Sequence, residues 1–457
     1  MTTSAPEVET GMTSTRGERV GWYSYSWANH GYITVAGAVF LGPFLVAVAK
    51  TAAGCASGGA CKNHYLHPLG IPVAAGSYFS YLVTVGTLLT VVLLPLVGAI
   101  ADRYGHRKWM LIGFAYLGAA SAMAFVFVTG GRYVLGGVLY LLANIGMQAA
   151  AMLQNSYVPQ LAGAERRDTL SSIGFATGYL GGALLLAASL VALELHSGDR
   201  LTVARWAIFA AGVWWAVFSL LAVLLLRDRP AERHRAALTG SVLTEGFRQL
   251  GRTLHGLVRT TPLTLFFLAA FFVYNDGIQT VISQASVYGT EQLHLDQSVL
   301  VETILLVQFV AFAGALLLGR AARVFGARKT VLGSLVLWVA VIVAAFWLPA
   351  RQVAPFLILG VLIGLVLGGS QALSRSLFSQ MVPRGREAEY FGIYAIGDVG
   401  TSWVGTLLFG VVYQVTFDYR PAILALLVFF VVGFVLLAAG PVRRAIVKAG
   451  NTPPRLL

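Results

Sequence analysis

The segment FFVYNDGIQT places an ionisable carboxyl group inside an apolar stretch of the chain, where Asp276 follows Asn275. A charged side chain at the centre of a bilayer costs roughly 2.5 to 3.5 kcal/mol on insertion scales, so such residues usually have a function. Three roles are open for Asp276. It pairs with Arg375, the arginine inside a predicted span, or it titrates and takes up protons, or it caps a helix break before Gly277.

The composition indicates that this carboxyl group lies in a membrane. Hydrophobic residues make up 57% of the chain and charged residues 11%, and the mean hydropathy is +0.75. A soluble protein would need more polar side chains to cover its surface. Apolar runs of about 20 residues, long enough to cross a bilayer as helices, recur without the alternation of barrel strands. The predicted fold is all-α and integral to the membrane, with twelve transmembrane helices near 22–49, 76–101, 108–129, 133–158, 169–193, 203–226, 262–288, 298–319, 330–348, 353–381, 387–415 and 420–440.

One long polar connection divides these spans six and six. Its leucine, phenylalanine and arginine spacing predicts an amphipathic helix on the membrane surface. The polar N-terminal residues contain no apolar core of a cleaved signal peptide. The predicted organisation is an N-terminal tail at 1–20, a six-helix bundle at 21–226, a basic linker at 227–261, a second six-helix bundle at 262–441 and a C-terminal tail at 442–457.

The distribution of positive charge predicts the orientation. Most of the 32 Lys and Arg residues fall in the termini, the linker and alternate loops. Because such loops stay in the cytoplasm, both termini are predicted to be cytoplasmic, with the protein in the cytoplasmic membrane. The net charge of +13 then reflects loops that face anionic lipid, and it predicts no nucleic-acid partner.

Cys55 and Cys61 are the two cysteines of the chain, and they lie in a glycine-rich stretch on the predicted outer side. A short loop there could join the two sulfurs in an oxidising compartment, and two free thiols are the alternative. His64 and His67 do not complete a recognised zinc spacing with them, so no metal site is predicted.

The segments GAIADRYGHRK (98–108) and GRAARVFGARK (319–329) form an internal repeat, each just after the second span of its half. The first segment resembles the loop signature of the major facilitator superfamily. The resemblance implies a major facilitator fold of two pseudosymmetric bundles, in which Gly98 permits close helix contact and Asp102 latches one conformation. The expected latch residues are Gly98, Asp102, Arg103, Gly105, Arg107 and Lys108. The second copy departs from the signature, because Arg323 replaces the aspartate.

A closer resemblance is to the vacuole effluxers, the autophagy-linked amino-acid exporters of fungi, and their bacterial relatives. It runs through WYSYSWANHGYITV, NSYVPQLAGAERRDTLSSIGFATGYLGG, FFVYNDGIQT and GGSQALSRSLFSQMVPRGREAEYFGIYA. Asp398 departs from the expected pattern and puts an inherited ion-coupling scheme in doubt. Gly174, Gly178 and Gly182, spaced by four residues, predict tight helix packing.

Major facilitators line their substrate cavity with the first, fourth, seventh and tenth helices. The same four spans carry polar stripes here. The candidate substrate-binding or coupling residues are Tyr25, Asn29 and Tyr32 on the first span, Asn144 and Gln148 on the fourth, Asn275, Asp276 and Gln279 on the seventh, and Gln371 and Arg375 on the tenth.

The sequence therefore predicts a secondary active transporter that moves a small polar solute by alternating access, with an amino acid favoured by the resemblance. The alternative is a proton-antiport exporter of drugs or metabolites. A nucleotide-driven pump is disfavoured because no phosphate-binding loop motif occurs, and no catalytic constellation indicates an enzyme. The expected partners are the lipid bilayer, the solute and a coupling proton or sodium ion, with no cofactor and a monomer as the family-like default.

Overall fold

Long helices that run back and forth between two ends make up the protein. The structure is a computed structural model that describes residues 14–55, 61, 64–104, 106–157, 161, 167–195, 200–227, 258, 261–382, 390, 394, 397, 403–451 and 453–454. Its helices are α1 (Arg16–Ala52), α2 (Tyr78–Tyr104), α3 (Arg107–Ala124), α4 (Tyr133–Asn155), α5 (Arg167–Leu195), α6 (Arg200–Leu225), α7 (Pro262–Val287), α8 (Gln297–Phe325), α9 (Ala327–Trp347), α10 (Val353–Gln380), α11 (Trp403–Thr416), α12 (Tyr419–Ala439) and α13 (Val442–Lys448).

Shorter features interrupt or join these helices, among them three 3-10 turns at Pro68–Gly70, Ala75–Ser77 and Phe125–Phe127. A π-helical segment, Ile33–Phe40, lies within α1, and another, Tyr288–Gln292, continues α7. Strand β1 (Tyr65–Leu66) pairs antiparallel with β2 (Val73–Ala74) between α1 and α2.

In the part of the chain that the structure describes, eleven helices are long and apolar enough to cross a membrane. The shorter apolar helix α11 lies where the eleventh of the twelve spans was predicted, and only the second part of that predicted span falls within the described residues. The predicted linker, 227–261, lies mostly outside them.

The two ends of the helices are named here by their connections. The disulfide end holds the loop between α1 and α2, in which Cys55 and Cys61 are bonded with their Cα atoms 5.7 Å apart. The linker end is the opposite one, where α6 ends and α7 begins. Residues 14–227 are called the first half and residues 261–454 the second half.

Helix starts and stops follow local chemistry. Thr15 caps α1, because its hydroxyl accepts from the Glu18 N–H at 3.2 Å while the Glu18 carboxylate accepts from the Thr15 N–H at 2.8 Å. Gly326 separates α8 from α9 with φ +93°, a conformation that side chains rarely adopt. The second copy of the repeat therefore contains the turn between α8 and α9.

Outward-facing apolar side chains agree with a lipid environment. On α8, Phe309 is 70% exposed and Phe312 is 72% exposed. Exposing these side chains to water would be unfavourable, because aromatic rings gain free energy when they are removed from water. The surface of the bundle is thus built to face hydrocarbon.

Helices pack closely where glycines remove side chains. Within the first half, α1 packs against α5 and α6. The α5 glycines predicted to pack tightly all face α1: Gly174 contacts Trp22, Gly178 contacts His30, and Gly182 contacts Thr34. Between the halves, α2 packs on α11, α1 on α7, and α5 on α8.

Gly146 provides a direct test of this packing. An added Cβ would lie 2.6 Å from the Phe114 carbonyl oxygen and 2.8 Å from the Gly118 nitrogen, which are backbone atoms of α3. We expect Gly146→Ala to lower the free energy of unfolding by about 1 to 3 kcal/mol through overpacking. The measurement is the fraction of detergent-solubilised protein that stays monodisperse after heating.

Gly113→Ala is the matched control, because nothing lies within 4 Å of a Cβ at Gly113 on the neighbouring helix. Equal loss in both variants would contradict the packing assigned to Gly146.

Candidate functional site

Asp276 lies in the middle of α7, and its carboxylate contacts α11 of the same half. The residue is 2% exposed, and Asp276 Oδ2 accepts a hydrogen bond from the Gly405 N–H at 2.9 Å. Gly405 permits this approach, since a Cβ there would lie 3.0 Å from Asp276 Oδ1. Helices α7 and α11 are therefore in contact where the Asp276 carboxylate meets the glycine backbone of α11.

Helix α7 runs without interruption through Gly277. The interpretation in which Asn275 and Asp276 cap a helix break is therefore wrong. Gly277 instead lets α12 approach, because a Cβ there would lie 2.9 Å from Phe429 Cβ. Asp276 therefore lies within a continuous helix.

The second carboxylate oxygen, Asp276 Oδ1, has no hydrogen-bond partner among the described residues. The fully buried Thr280 hydroxyl, one turn further along α7, interacts electrostatically with the carboxylate, but the two do not reach hydrogen-bond geometry. A buried carboxylate with so few partners is costly when charged. This arrangement is chemically suited to hold a proton or a small cation.

Polar side chains next to Asp276 join the two halves of the protein. Thr406 Oγ1 lies 3.0 Å from Thr84 Oγ1 of α2, and Gln284 Oε1 accepts from the Ser80 hydroxyl at 3.1 Å. All four residues are buried. We call this cluster, Ser80, Thr84, Gln284 and Thr406, the inter-half joint.

Further contacts between the halves surround the joint toward the disulfide end. The Ser77 hydroxyl donates to the Gly410 carbonyl at 2.8 Å, and the Tyr419 hydroxyl donates to the Gly76 carbonyl at 3.1 Å. Lys50 of α1 forms an ion pair with Glu291, which follows α7.

The π-helical segment of α1 also contributes acceptors. Its Ala38 carbonyl accepts from the Ser286 hydroxyl, and its Val39 carbonyl accepts from Gln297 Nε2 at 3.1 Å. Both donors belong to the second half. The wider π turn thus presents backbone carbonyls to another part of the chain.

These bonds share one location. Hydrogen bonds and ion pairs that join a described residue of one half to a described residue of the other all lie in the part of the bundle nearer the disulfide end. The halves are therefore tied together at that end.

The predicted cavity residues divide into two groups. Tyr25, Asn29 and Tyr32 of α1 are buried, and Tyr32 stacks on Trp215 of α6 with ring centroids 4.8 Å apart. Asn144, Gln148, Gln279 and Gln371 are half-buried, with Asn144 packed against Gly86 of α2. The α1 stripe thus belongs to the packing of the first half, whereas the half-buried amides remain accessible.

Arg375 does not pair with Asp276. Arg375 is exposed on α10, and no ion pair or hydrogen bond joins it to Asp276 within the described residues, because the carboxylate faces α11. The predicted pair is therefore absent from this conformation.

The predicted latch is only partly visible. Gly105 and the side chains of Asp102 and Arg103 lie outside the described residues, as does Asp398. Arg107 begins α3, and Lys108 Nζ lies 5.5 Å from the ring centroid of Trp109. The close helix contact expected at Gly98 is not found, since Met152 Cε is 3.9 Å from a Cβ position there.

Sequence reasoning missed the inter-half joint, although a signal was available. Asp276, Thr280 and Gln284 are spaced by four residues, so they form one polar stripe along α7. Gln154 was also missed: its Nε2 donates to Ser26 Oγ at 2.6 Å and joins α4 to α1. In the described part of the chain, no three His, Cys, Asp or Glu side chains gather as a metal site.

Comparisons with known proteins agree with this architecture. The profile of the vacuole effluxer Atg22-like family matches residues 14–450. The chain is 28% identical to the MFS-type transporter YxiO of Bacillus subtilis (strain 168), covering 92% of this chain and 94% of that protein. It is 26% identical to autophagy-related protein 22 of Pyricularia oryzae, over 89% of this chain and 73% of that protein. A mutant nucleoside transporter NupG superposes with a TM-score of 0.66 at 15% identity, covering 92% and 99%, and this likeness shows the major facilitator fold.

The contact between Asp276 and Gly405 predicts how two substitutions differ in stability. Asp276→Asn keeps an oxygen that accepts the Gly405 N–H and buries no charge, so we expect an unchanged or higher melting temperature. Asp276→Leu leaves that N–H without a partner, which costs about 1 to 3 kcal/mol. Thermal unfolding in detergent measures both.

If Asp276→Asn destabilised the fold as much as Asp276→Leu, the negative charge itself would be required for folding. The role assigned to the hydrogen bond would then be wrong.

Proposed function

The chain belongs to the vacuole effluxer Atg22-like family of major facilitator transporters, and from that premise we propose that it carries a small polar solute across a membrane by alternating access. The half-buried amides Asn144, Gln148, Gln279 and Gln371 offer hydrogen bonds to such a solute. An amino acid is the favoured class, as the resemblance to the vacuole effluxers implies, and the relatives include autophagy-related protein 22. No cofactor is part of this proposal, and the carrier unit is one chain.

Two six-helix halves that rock against each other would give alternating access. The helix pairings support such halves. In the first half α1 packs on α6, α2 on α4, and α3 on both α4 and α6. In the second half α7 packs on α12, α8 on α10, and α9 on both α10 and α12.

The proposed orientation places the disulfide end outside the cytoplasmic membrane and both termini in the cytoplasm. The linker end receives the arginine-rich connection at 227–259, which favours the cytoplasm. The Cys55–Cys61 bond at the opposite end fits an oxidising compartment. In this orientation the structure is a state closed toward the outside.

The observation that supports ion coupling is the hydrogen bond from Gly405 of α11 to Asp276. Gly405 directly precedes Thr406, which belongs to the inter-half joint. The Asp276 carboxylate accepts from the Gly405 N–H, and the next residue, Thr406, contacts Thr84 of the first half. A proton or a sodium ion on Asp276 would weaken its hold on Gly405 and shift α11. The coupling ion would then control the joint that closes the outer side.

Counterflow in proteoliposomes tests this proposal. Vesicles loaded with a mixture of unlabelled amino acids are followed for entry of each labelled one, with and without a pH gradient. We expect Asp276→Asn to keep counterflow and to lose accumulation driven by the gradient, since the amide cannot carry the proton.

Glu302→Gln is the matched control, because Glu302 is an exposed carboxylate on α8. Gradient-driven accumulation retained by Asp276→Asn would remove Asp276 from coupling. If the wild type exchanged no amino acid, the exporter of drugs or metabolites would become the better hypothesis.

A cross-link tests the closing role of the joint. Cysteines at Thr84 and Thr406 would replace two hydroxyls that are 3.0 Å apart, in a chain whose Cys55 and Cys61 are serine. Oxidation should join α2 to α11 and stop counterflow, and a reductant should restore it.

The two single-cysteine variants and the cysteine-free parent are the controls, and they should transport before and after oxidation. Full transport by the cross-linked protein would show that the joint does not open during the cycle.

A further inference from the structure

Arg375 is a positive charge that lacks a counter-charge among the described residues. It lies on α10, toward the Gln380 end, and its side chain is exposed although α10 is apolar enough to span a membrane. No described side chain forms an ion pair with it. A guanidinium group in a membrane helix normally faces the interior of the bundle or a water-filled cavity.

Tyr179 shows which way Arg375 faces. Tyr179 belongs to α5 of the first half, is 51% exposed, and interacts electrostatically with Arg375 of the second half. Leu186, two turns further along the same face of α5, is fully buried, so this face points into the protein. Arg375 and Tyr179 therefore belong to different halves and lie close enough to interact.

His30 of α1 fixes the position of Tyr179. The two rings meet edge to face, with centroids 5.4 Å apart and planes at 66°. Gly178 makes this contact possible, because a Cβ there would lie 2.7 Å from His30 Cγ. The Tyr179 ring is thus held in place before any ligand binds.

We propose that Arg375 and Tyr179 form the subsite that binds the carboxylate of the transported solute, with His30 as the positioning residue. Resting on the proposed transport function, this deepens it by assigning the residues that bind the carboxylate of the solute. The guanidinium presents parallel N–H donors that match a carboxylate, and the phenol adds one O–H donor.

The geometry also explains how such a ligand would act on the fold. Arg375 and Tyr179 belong to different halves, and the bonds that join the halves lie toward the opposite, disulfide end. A carboxylate bound by both residues would bridge the two halves. Asp276 cannot interfere, since it is turned toward Gly405.

The test compares solutes that differ only in the carboxylate. Counterflow is measured with amino acids and with the corresponding amino-acid amides in wild type and variants. We expect wild-type exchange of the acids and little of the amides. Tyr179→Phe should raise KM for the acid about tenfold with a small change in maximal rate, which corresponds to one charge-assisted hydrogen bond. Arg375→Gln should raise it about a hundredfold or more, and Arg375→Lys should recover part of the loss.

Two controls separate this subsite from folding and from lipid effects. Arg320 is an exposed arginine at the same distance from the end of α8 as Arg375 is from the end of α10. Because Arg320 is outside the proposed subsite, Arg320→Gln should leave KM unchanged. For the positioning role, His30→Ala should raise KM and His30→Phe should restore it, because phenylalanine keeps the ring contact.

The possible failures are distinguishable. If wild type exchanges none of the solutes, the proposed transport function fails. If it exchanges acids and amides equally well, or if Arg375→Gln and Arg320→Gln change KM alike, transport stands and the carboxylate subsite is wrong. A loss in Arg375→Gln that is equal for acids and amides would assign Arg375 to lipid headgroups or to structure and would also overturn the proposal.

Discussion

Polar groups inside a bilayer must find partners within the protein, and this requirement decides where the two halves meet. Thr84, Thr406, Ser80 and Gln284 would be costly in lipid, and each forms a hydrogen bond to a residue of the other half, while Gln284 Nε2 has no partner among the described residues. Hydrogen bonds between membrane helices are individually weak, on the order of 0.6 kcal/mol on average. A surface made of several such bonds can close firmly and still open, because water can replace each partner when the halves separate.

The backbone of α1 is adapted to the same surface. At the end of the π-helical segment Ile33–Phe40, the carbonyls of Ala38 and Val39 accept hydrogen bonds from donors of the second half. These contacts fix α1 against α7 and α8 without a polar side chain on α1 at those positions. The first helix thereby packs inside its own half through Tyr25 and Tyr32 and meets the other half through its main chain and Lys50.

The membrane spans could be predicted from the sequence because the length of an apolar run is a property of a single segment. The same holds for the Lys and Arg content of the loops, from which the orientation was predicted. The α5 glycines were also predictable, since four-residue spacing puts them on one face. The direction of Asp276 was not, because the spacing of Asp276 and Arg375 fixes their helices but not which neighbour each faces. Gly405 decides that question by removing a side chain on α11. The role of His30 was equally hidden, as it depends on Gly178 of another helix.

Separate groups for the coupling ion and for the solute have a thermodynamic consequence. Asp276 contacts α11 beside the joint near the disulfide end, whereas Arg375 interacts electrostatically with Tyr179 of the other half. In the proposed mechanism an ion at Asp276 and a carboxylate at Arg375 would not share a contact, yet both would change the same equilibrium between closed and open ends. Each ligand changes the affinity for the other only if it binds one conformation of the two halves more tightly than the other conformation. The change in affinity is then the same in both directions. Coupling by the proposed mechanism would therefore require rigid halves more than a short distance between the two sites.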